Sequence, residues 1–361
     1  MNDRSIIASL AAALTLAACS TLGNRSSVGI FGAPPVAAVT RQSTGKAATL
    51  LIANAFNVTI YNGQTGSFKK KIDNGEPDLR SLFVTSKGEV IVGRPQGSLV
   101  TIYGVPRMRE LQKIAVPHPL DMASDADGNL FVLSERKGKR VEVFAPGSSL
   151  PYHPTPVRTI SSGVNSAETI AVDTVGDLYV PNCGDNRGKN VTVYAPGSST
   201  PTQTITQGIL GPCTIALDAA NNIYVGNEGP STANEHGSVT VYAAGTTTLT
   251  NTITSGIEYP QSLAFNVSGD LYVGNYGLTN QNVGDVTAYA PKHFSLIRRI
   301  TSGIHNPYGI VLDGAGTLFV ANDYFNSSYN GAVTVYSPSS DTPTQTITEN
   351  VRVPSSVSIL R

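Results

Sequence analysis

The sequence predicts an all-β protein, a seven-bladed β-propeller with the C-terminal strand closing the first blade, and three observations carry that prediction. A mostly β-branched tetrad ending in an aromatic residue recurs seven times: Val58-Tyr61, Val100-Tyr103, Val141-Phe144, Val191-Tyr194, Val239-Tyr242, Val286-Tyr289 and Val333-Tyr336. Its mean period is about 46 residues, within the range of a four-stranded propeller blade. Upstream of most copies sits a second signature, Asp-x-x-Gly/Asn followed by an apolar pair, as in Asp125-Gly128-Leu130-Phe131, Asp173-Gly176-Leu178-Tyr179, Asp218-Asn221-Ile223-Tyr224 and Asp313-Gly316-Leu318-Phe319. In the sixth copy Asn266 replaces the Asp before Gly269-Leu271-Tyr272. Finally, only 14% of the 361 residues are charged, whereas Gly contributes 35 and Pro 22. That balance suits short strands and turns rather than long surface helices or coiled coils.

Each repeat reads as four short strands, a to d, exemplified by Ile215-Leu217, Ile223-Val225, Val239-Tyr242 and Thr252-Thr254. Asp, Asn and Gly supply the turn between a and b, and Ala-Pro-Gly-Ser (Ala145-Ser148, Ala195-Ser198) the turn between c and d. Alternation in Val-Thr-Val-Tyr puts the valines on one face and Thr with Tyr on the other, so both faces are apolar enough to stack between neighbouring sheets. The first copy has strands b, c and d at Thr49-Ala53, Val58-Tyr61 and Lys69-Ile72 but lacks an a strand, while the chain ends in an extra a-like segment, Pro354-Leu360. The C-terminal segment is therefore expected to complete blade one and leave no open edge.

The N-terminus predicts an address. Arg4, an apolar run from Ile6 to Ala17, and Leu16-Ala17-Ala18-Cys19 have the shape of a secretory signal. The last four residues resemble the bacterial lipobox, which implies cleavage after residue 18 and a diacylglycerol thioether on Cys19. Ser20 after the Cys implies the outer membrane by the same resemblance. Residues 19–47, rich in Ser, Gly, Ala, Thr and Pro, read as the lipidated Cys and a flexible tether with an end-to-end distance of about 30 Å. Residues 48–361 form the propeller.

Asp218-Asn227, which reads DAANNIYVGN, and Leu271-Asn275, LYVGN, resemble the NHL and YVTN propeller repeats of bacterial exported proteins. The resemblance covers 48–361 and implies a fold rather than an activity. Blades two and three depart from it, with Gly93-Arg94 and Leu133-Ser134 where later blades place an Asn. The absence of Trp sets WD-type repeats aside.

In a propeller the d-to-a and b-to-c connections share one face around the channel mouth. Alignment on the Asp-x-x-Gly signature places Arg80, Leu120, Glu168, Cys213, Gln261, Tyr308 and Ser355 at the start of strand a. Of these, Arg80, Glu168, Gln261, Tyr308 and Ser355 are candidates for a ligand-facing ring, the alternative being a water-filled channel lining. The b-to-c loops of blades four to seven are long and open with Asn182, Asn227, Asn275 and Asn322. Those asparagines either cap strand b and accept left-handed backbone or, with the stacking faces of Tyr276, Tyr324, Phe325 and Tyr329, form a glycan- or peptide-binding surface. Cys183 and Cys213 fall on this face in adjacent blades and form either a disulfide or two separate thiols.

Formal net charge is zero, giving no reason to expect a nucleic-acid partner. Charge is nonetheless split: residues 1–150 carry 17 basic and 11 acidic side chains, and 151–361 carry 8 and 14. Lys69-Lys71 and Arg136-Arg140 concentrate the positive sector, as solvated surface or as contacts to anionic polymer or lipid. The five histidines are scattered singly, without metal-ligand spacing, and no nucleophile motif is present. The sequence therefore favours a monomeric, lipid-anchored envelope module without catalysis, cofactor or metal, binding an envelope protein, glycan or small ligand. The alternative is a metal-assisted hydrolase or lyase of lactone-like substrates, for which the ring offers only Glu168, Gln261 and Asp121 as ligands.

Overall fold

The structure, a computed structural model, describes residues 48–72, 79, 81–135, 138–183, 188–229, 236–277, 284–323 and 331–360. The leader, Cys19 and the tether lie outside the described residues, as do Arg80, Arg136, Lys137, Tyr324, Phe325 and Tyr329.

Seven open four-stranded antiparallel sheets form the blades of a seven-bladed β-propeller. Blade five is representative, with strands Pro212–Leu217, Ile223–Asn227, Ser238–Tyr242 and Leu249–Ile253 from the axis outward. Its fourth strand begins and ends earlier than the sequence reading places it, leaving Thr254 to the following turn. Blade four has the shortest inner strand, Ala171–Val172. Successive inner strands pack against one another, and Pro354–Leu360 packs against the inner strands of blades seven and two.

Blade one draws on both chain ends. Pro354–Leu360 pairs antiparallel with Thr49–Asn54, in a register that sets Leu50 opposite Ile359 and Ile52 opposite Val357. Val58–Asn62 and Phe68–Ile72 complete that sheet.

Apolar side chains gather between blades rather than in one central core. The described residues form seven clusters, one per blade interface; that between blades five and six, for example, joins Val239 and Val241 to Leu263, Leu271 and Val273. Alternation along strand c explains the division, because Val239 and Val241 face the next blade while Tyr242 faces the previous one.

Two repeated devices fix the turns. The Asp that ends strand a accepts backbone N–H bonds from the turn it opens: Asp173 Oδ1 from Val175 (3.0 Å) and Asp177 (2.8 Å), Asp218 Oδ1 from Ala220 (2.9 Å) and Asn222 (2.8 Å), Asp313 Oδ1 from Ala315 (2.9 Å) and Thr317 (2.8 Å). Asn266 does the same, which is why it can replace Asp. The second device is the aromatic that ends strand c. Its buried hydroxyl donates to the d-to-a turn of its own blade: Tyr194 to Ser162 O, Tyr242 to Gln207 O and Tyr289 to Ser255 O, each at 2.6 Å, and Tyr336 to Ser302 O at 2.7 Å. Tyr61 donates likewise to Glu349 O, 288 residues away. The next turn residue must be left-handed and small. It is Gly163 in blade four (φ 79°), where an added Cβ would lie 2.9 Å from the Tyr194 hydroxyl.

Candidate functional site

Five of the seven inner strands enter the channel-mouth face through a repeated local geometry. A left-handed residue precedes a Pro that starts the strand: His118 before Pro119, Gly211 before Pro212, Tyr259 before Pro260, Asn306 before Pro307 and Val353 before Pro354. The residue after the Pro then occupies a register shift against strand b, at Leu120, Cys213, Gln261, Tyr308 and Ser355. A bulge frees its residue from strict alternation and re-aims the side chain. Positive φ at a β-branched residue such as Val353 (47°) is strained, and such strain concentrates where geometry is functional.

The re-aimed side chains reach across blade interfaces. In four consecutive interfaces the ring residue meets a side chain near the b-to-c loop of the preceding blade, with a different chemistry each time. Glu168 Oε1 accepts from Lys139 Nζ at 2.6 Å, and the same ammonium reaches Ala167 O at 2.8 Å. Cys213 is disulfide-bonded to Cys183, with 4.9 Å between their Cα atoms. Gln261 Nε2 donates to Glu228 Oε1 at 3.1 Å. The Tyr308 ring packs edge-on against Tyr276, centroids 5.7 Å apart and planes 88° apart. Ser355 turns the other way and donates to Leu79 O at the entrance to blade two (3.0 Å). Leu120 is fully buried. These contacts explain why the ring residues differ from blade to blade: each matches a partner in its neighbour.

Cys183, Glu228 and Tyr276 each directly follow the Asn that ends strand b. Those asparagines lie beneath the loops, all at most 3% exposed. Their amide oxygens accept from the segment entering strand a: Asn182 from Asn165 N, Asn227 from Leu210 N, Asn275 from Glu258 N and Asn322 from His305 N, at 2.7–3.0 Å. Their amide nitrogens donate inward, as Asn227 Nδ2 does to Thr240 Oγ1 (3.0 Å) and Asn275 Nδ2 to Thr287 Oγ1 (3.1 Å). The left-handed backbone that the sequence suggested for them is not where the structure puts it. It falls instead on the residue before the Pro and in the turns, because these asparagines are paired inside strand b. In blade two the same position holds Arg94, 1% exposed.

One residue beyond Leu120, Asp121 is buried between blades three and four. Its Oδ2 accepts from Thr169 Oγ1 and the Ile170 N–H, both 2.9 Å, and its Oδ1 from the Met122 N–H at 2.8 Å. Burial outweighs these bonds and pushes the carboxyl up to about 7. Between its ordinary value of 3.8 and about 7 the folded chain therefore holds a proton that the unfolded chain has released. Stability should fall as pH rises through that window, by up to about 1.4 kcal/mol per pH unit. Asp121→Asn should flatten this component, and urea unfolding at several pH values between about 4 and 8 checks it. Equal pH dependence in both proteins would contradict the assignment.

Of the groups a metal cage would draw on, Asp121 and Glu168 are thus engaged between blades three and four, and Gln261 between blades five and six. A shallow polar cleft lined by Asp313, Thr317, Ser337 and Gln345 lies on the opposite face, between blades seven and one, and is bridged by Gln345 Nε2 donating to Thr65 O at 2.6 Å.

No family model matches the chain, and no curated protein matches it. Solved structures do. One is the Kuenenia stuttgartiensis hydrazine synthase, 17% identical, covering 81% of this chain and 92% of that one with a TM-score of 0.63. Another is the mitotic checkpoint complex, 16% identical, covering 80% and 83% with a TM-score of 0.62. At this identity the likeness is one of fold, a scaffold that hosts unrelated functions.

Proposed function

We propose that this chain is a non-catalytic, lipid-anchored module of the bacterial cell envelope, held at the outer membrane through Cys19, whose channel-mouth face binds an envelope protein, a glycan or a small ligand. It works as a monomer at the end of a tether formed by residues 19–47. The observation that carries this reading is the side-by-side placement, on one stapled rim, of the feet of four b-to-c connections.

The feet of these loops are paired in register: Asn182 with Asn190, Asn227 with Ser238, Asn275 with Asp285 and Asn322 with Ala332. In blades five to seven the first loop residue is also tied to the left-handed residue below it, Glu228 N to Gly211 O (2.9 Å), Tyr276 N to Tyr259 O (3.0 Å) and Asp323 N to Asn306 O (3.2 Å). Recognition by loops on a rigid scaffold is the usual division of labour in such folds. The sequences between the feet are rich in Asn, Gly, Ser and Tyr, side chains that offer hydrogen bonds and stacking faces to a polar partner.

Changing Cys19 to Ala tests the anchor. Fractionation with fatty-acid labelling should show the wild type labelled and sedimenting with membranes, and the variant unlabelled and either released or left as precursor. A variant that is processed normally and stays in the membrane would contradict the lipid anchor.

A further inference from the structure

Glu228 does more than meet Gln261. One of its carboxylate oxygens and the two sulfurs of Cys183 and Cys213 all lie within 4.8 Å of one another. Cys183 and Glu228 are part-exposed at the mouth, whereas Cys213 is 3% exposed. The three residues come from separate anchored segments: the end of strand b in blade four, the bulge of strand a in blade five, and the loop foot of blade five. Glu228 is oriented from two sides, by the Gln261 amide and by its own N–H bonded to Gly211 O.

Going beyond the binding role, we propose that reduction converts the Cys183–Cys213 staple into a dithiolate-carboxylate site, completed by Glu228, for one divalent cation of borderline softness, with Zn2+ the best fit. A dithiol breaks the S–S bond by giving two electrons and two protons and is oxidised to its disulfide, whereas a phosphine gives two electrons and one water supplies both thiol protons and the oxygen of the phosphine oxide; either way two thiols are left. Cation binding then releases the two thiol protons to solvent. Two thiolates on a tetrahedral zinc at ~2.3 Å lie about 3.8 Å apart and a carboxylate oxygen binds at ~2.0–2.2 Å, so once the S–S bond is broken the two sulfurs must move apart while the Glu228 carboxylate, already within 4.8 Å, closes in. Thiolate sulfur selects zinc over magnesium or calcium, and a solvent molecule fills the fourth position. Gln261, donating to the ligand carboxylate, is a positioning residue. Oxidation removes both sulfur ligands, so the rim is either covalently stapled or able to take the cation.

The test titrates the full chain, oxidised or reduced with a phosphine, with Co2+ and then Zn2+. The reduced protein should bind one Co2+ with thiolate charge-transfer and tetrahedral ligand-field absorption, lose both signals to Zn2+, and regain part of the melting temperature lost on reduction. The oxidised protein should show none of this. Glu228→Gln, which leaves the disulfide intact for folding, should weaken binding at least about tenfold once reduced. Absence of thiolate-to-Co2+ bands, unchanged affinity in Glu228→Gln, or loss of the β-sheet circular dichroism on reduction alone would each overturn the proposal. The membrane and partner experiments do not depend on this outcome, so the two readings fail separately.

Discussion

A chain lacking residues 353–361 is expected to melt more than about 10 °C below the intact protein and to self-associate. The deletion removes the inner strand of blade one, and with it Val357 and Ile359, which pack in the interface between blades seven and one beside Leu50, Ile52 and Phe319. Burying each such side chain is worth about 1.5–3 kcal/mol. The backbone of Thr49–Asn54, now paired on both sides, would face the channel with one edge open, a template for pairing with another chain. At a few degrees per kcal/mol for a domain of this size, the combined loss gives the stated shift. Calorimetry with light scattering checks it, and an unchanged melting curve would show that blade one does not depend on its C-terminal strand.

The disulfide is the second large term. Replacing Cys183 and Cys213 with Ser should cost about 3–4 kcal/mol, the chain-entropy value for the separation of 30 residues, and lower the melting temperature by roughly 5–10 °C. The effect should be specific to the oxidised state, so reduction should shift the wild type by a similar amount and leave the double variant unmoved. Thiol titration of the denatured, unreduced protein should find neither residue reactive. Two reactive thiols would contradict the pairing.

The fold was legible because its determinants are local and repeated. The Asp that receives turn N–H groups and the aromatic that ends strand c recur at near-constant spacing, and alternation in Val-Thr-Val-Tyr sorts side chains between neighbouring interfaces. The clamp from that aromatic back to the preceding d-to-a turn was equally present in the repeated Thr-Ser-Gly at 254–256 and 301–303, but its meaning depends on a hydroxyl reaching a carbonyl 34 residues earlier in the chain. The rim was legible only in part. Alignment identifies Glu168, Cys213, Gln261 and Tyr308 as equivalent, yet alternation does not set side-chain direction at a bulge, so their reach into the preceding blade was hidden. A usable signal existed: Cys183 precedes Cys213 by 30 residues and Glu228 precedes Gln261 by 33, each just after a strand-ending Asn. In sequence the asparagines fit capping and surface roles alike, because a buried amide and an exposed one look the same there. Arg80 and Tyr324 lie outside the described residues and keep only their sequence-based expectation.

The central claim is that recognition belongs to the channel-mouth face, and site-specific photo-crosslinking in intact cells tests it most directly. A photoreactive residue at Lys189 or His236, exposed beside the long loops, is compared with one at Val175 or Val267, which are 68% and 57% exposed on the opposite face. The account predicts discrete adducts from the first pair, competed by excess unmodified protein, and none from the second. Adducts of equal yield from both faces, or from Val175 and Val267 alone, would contradict it.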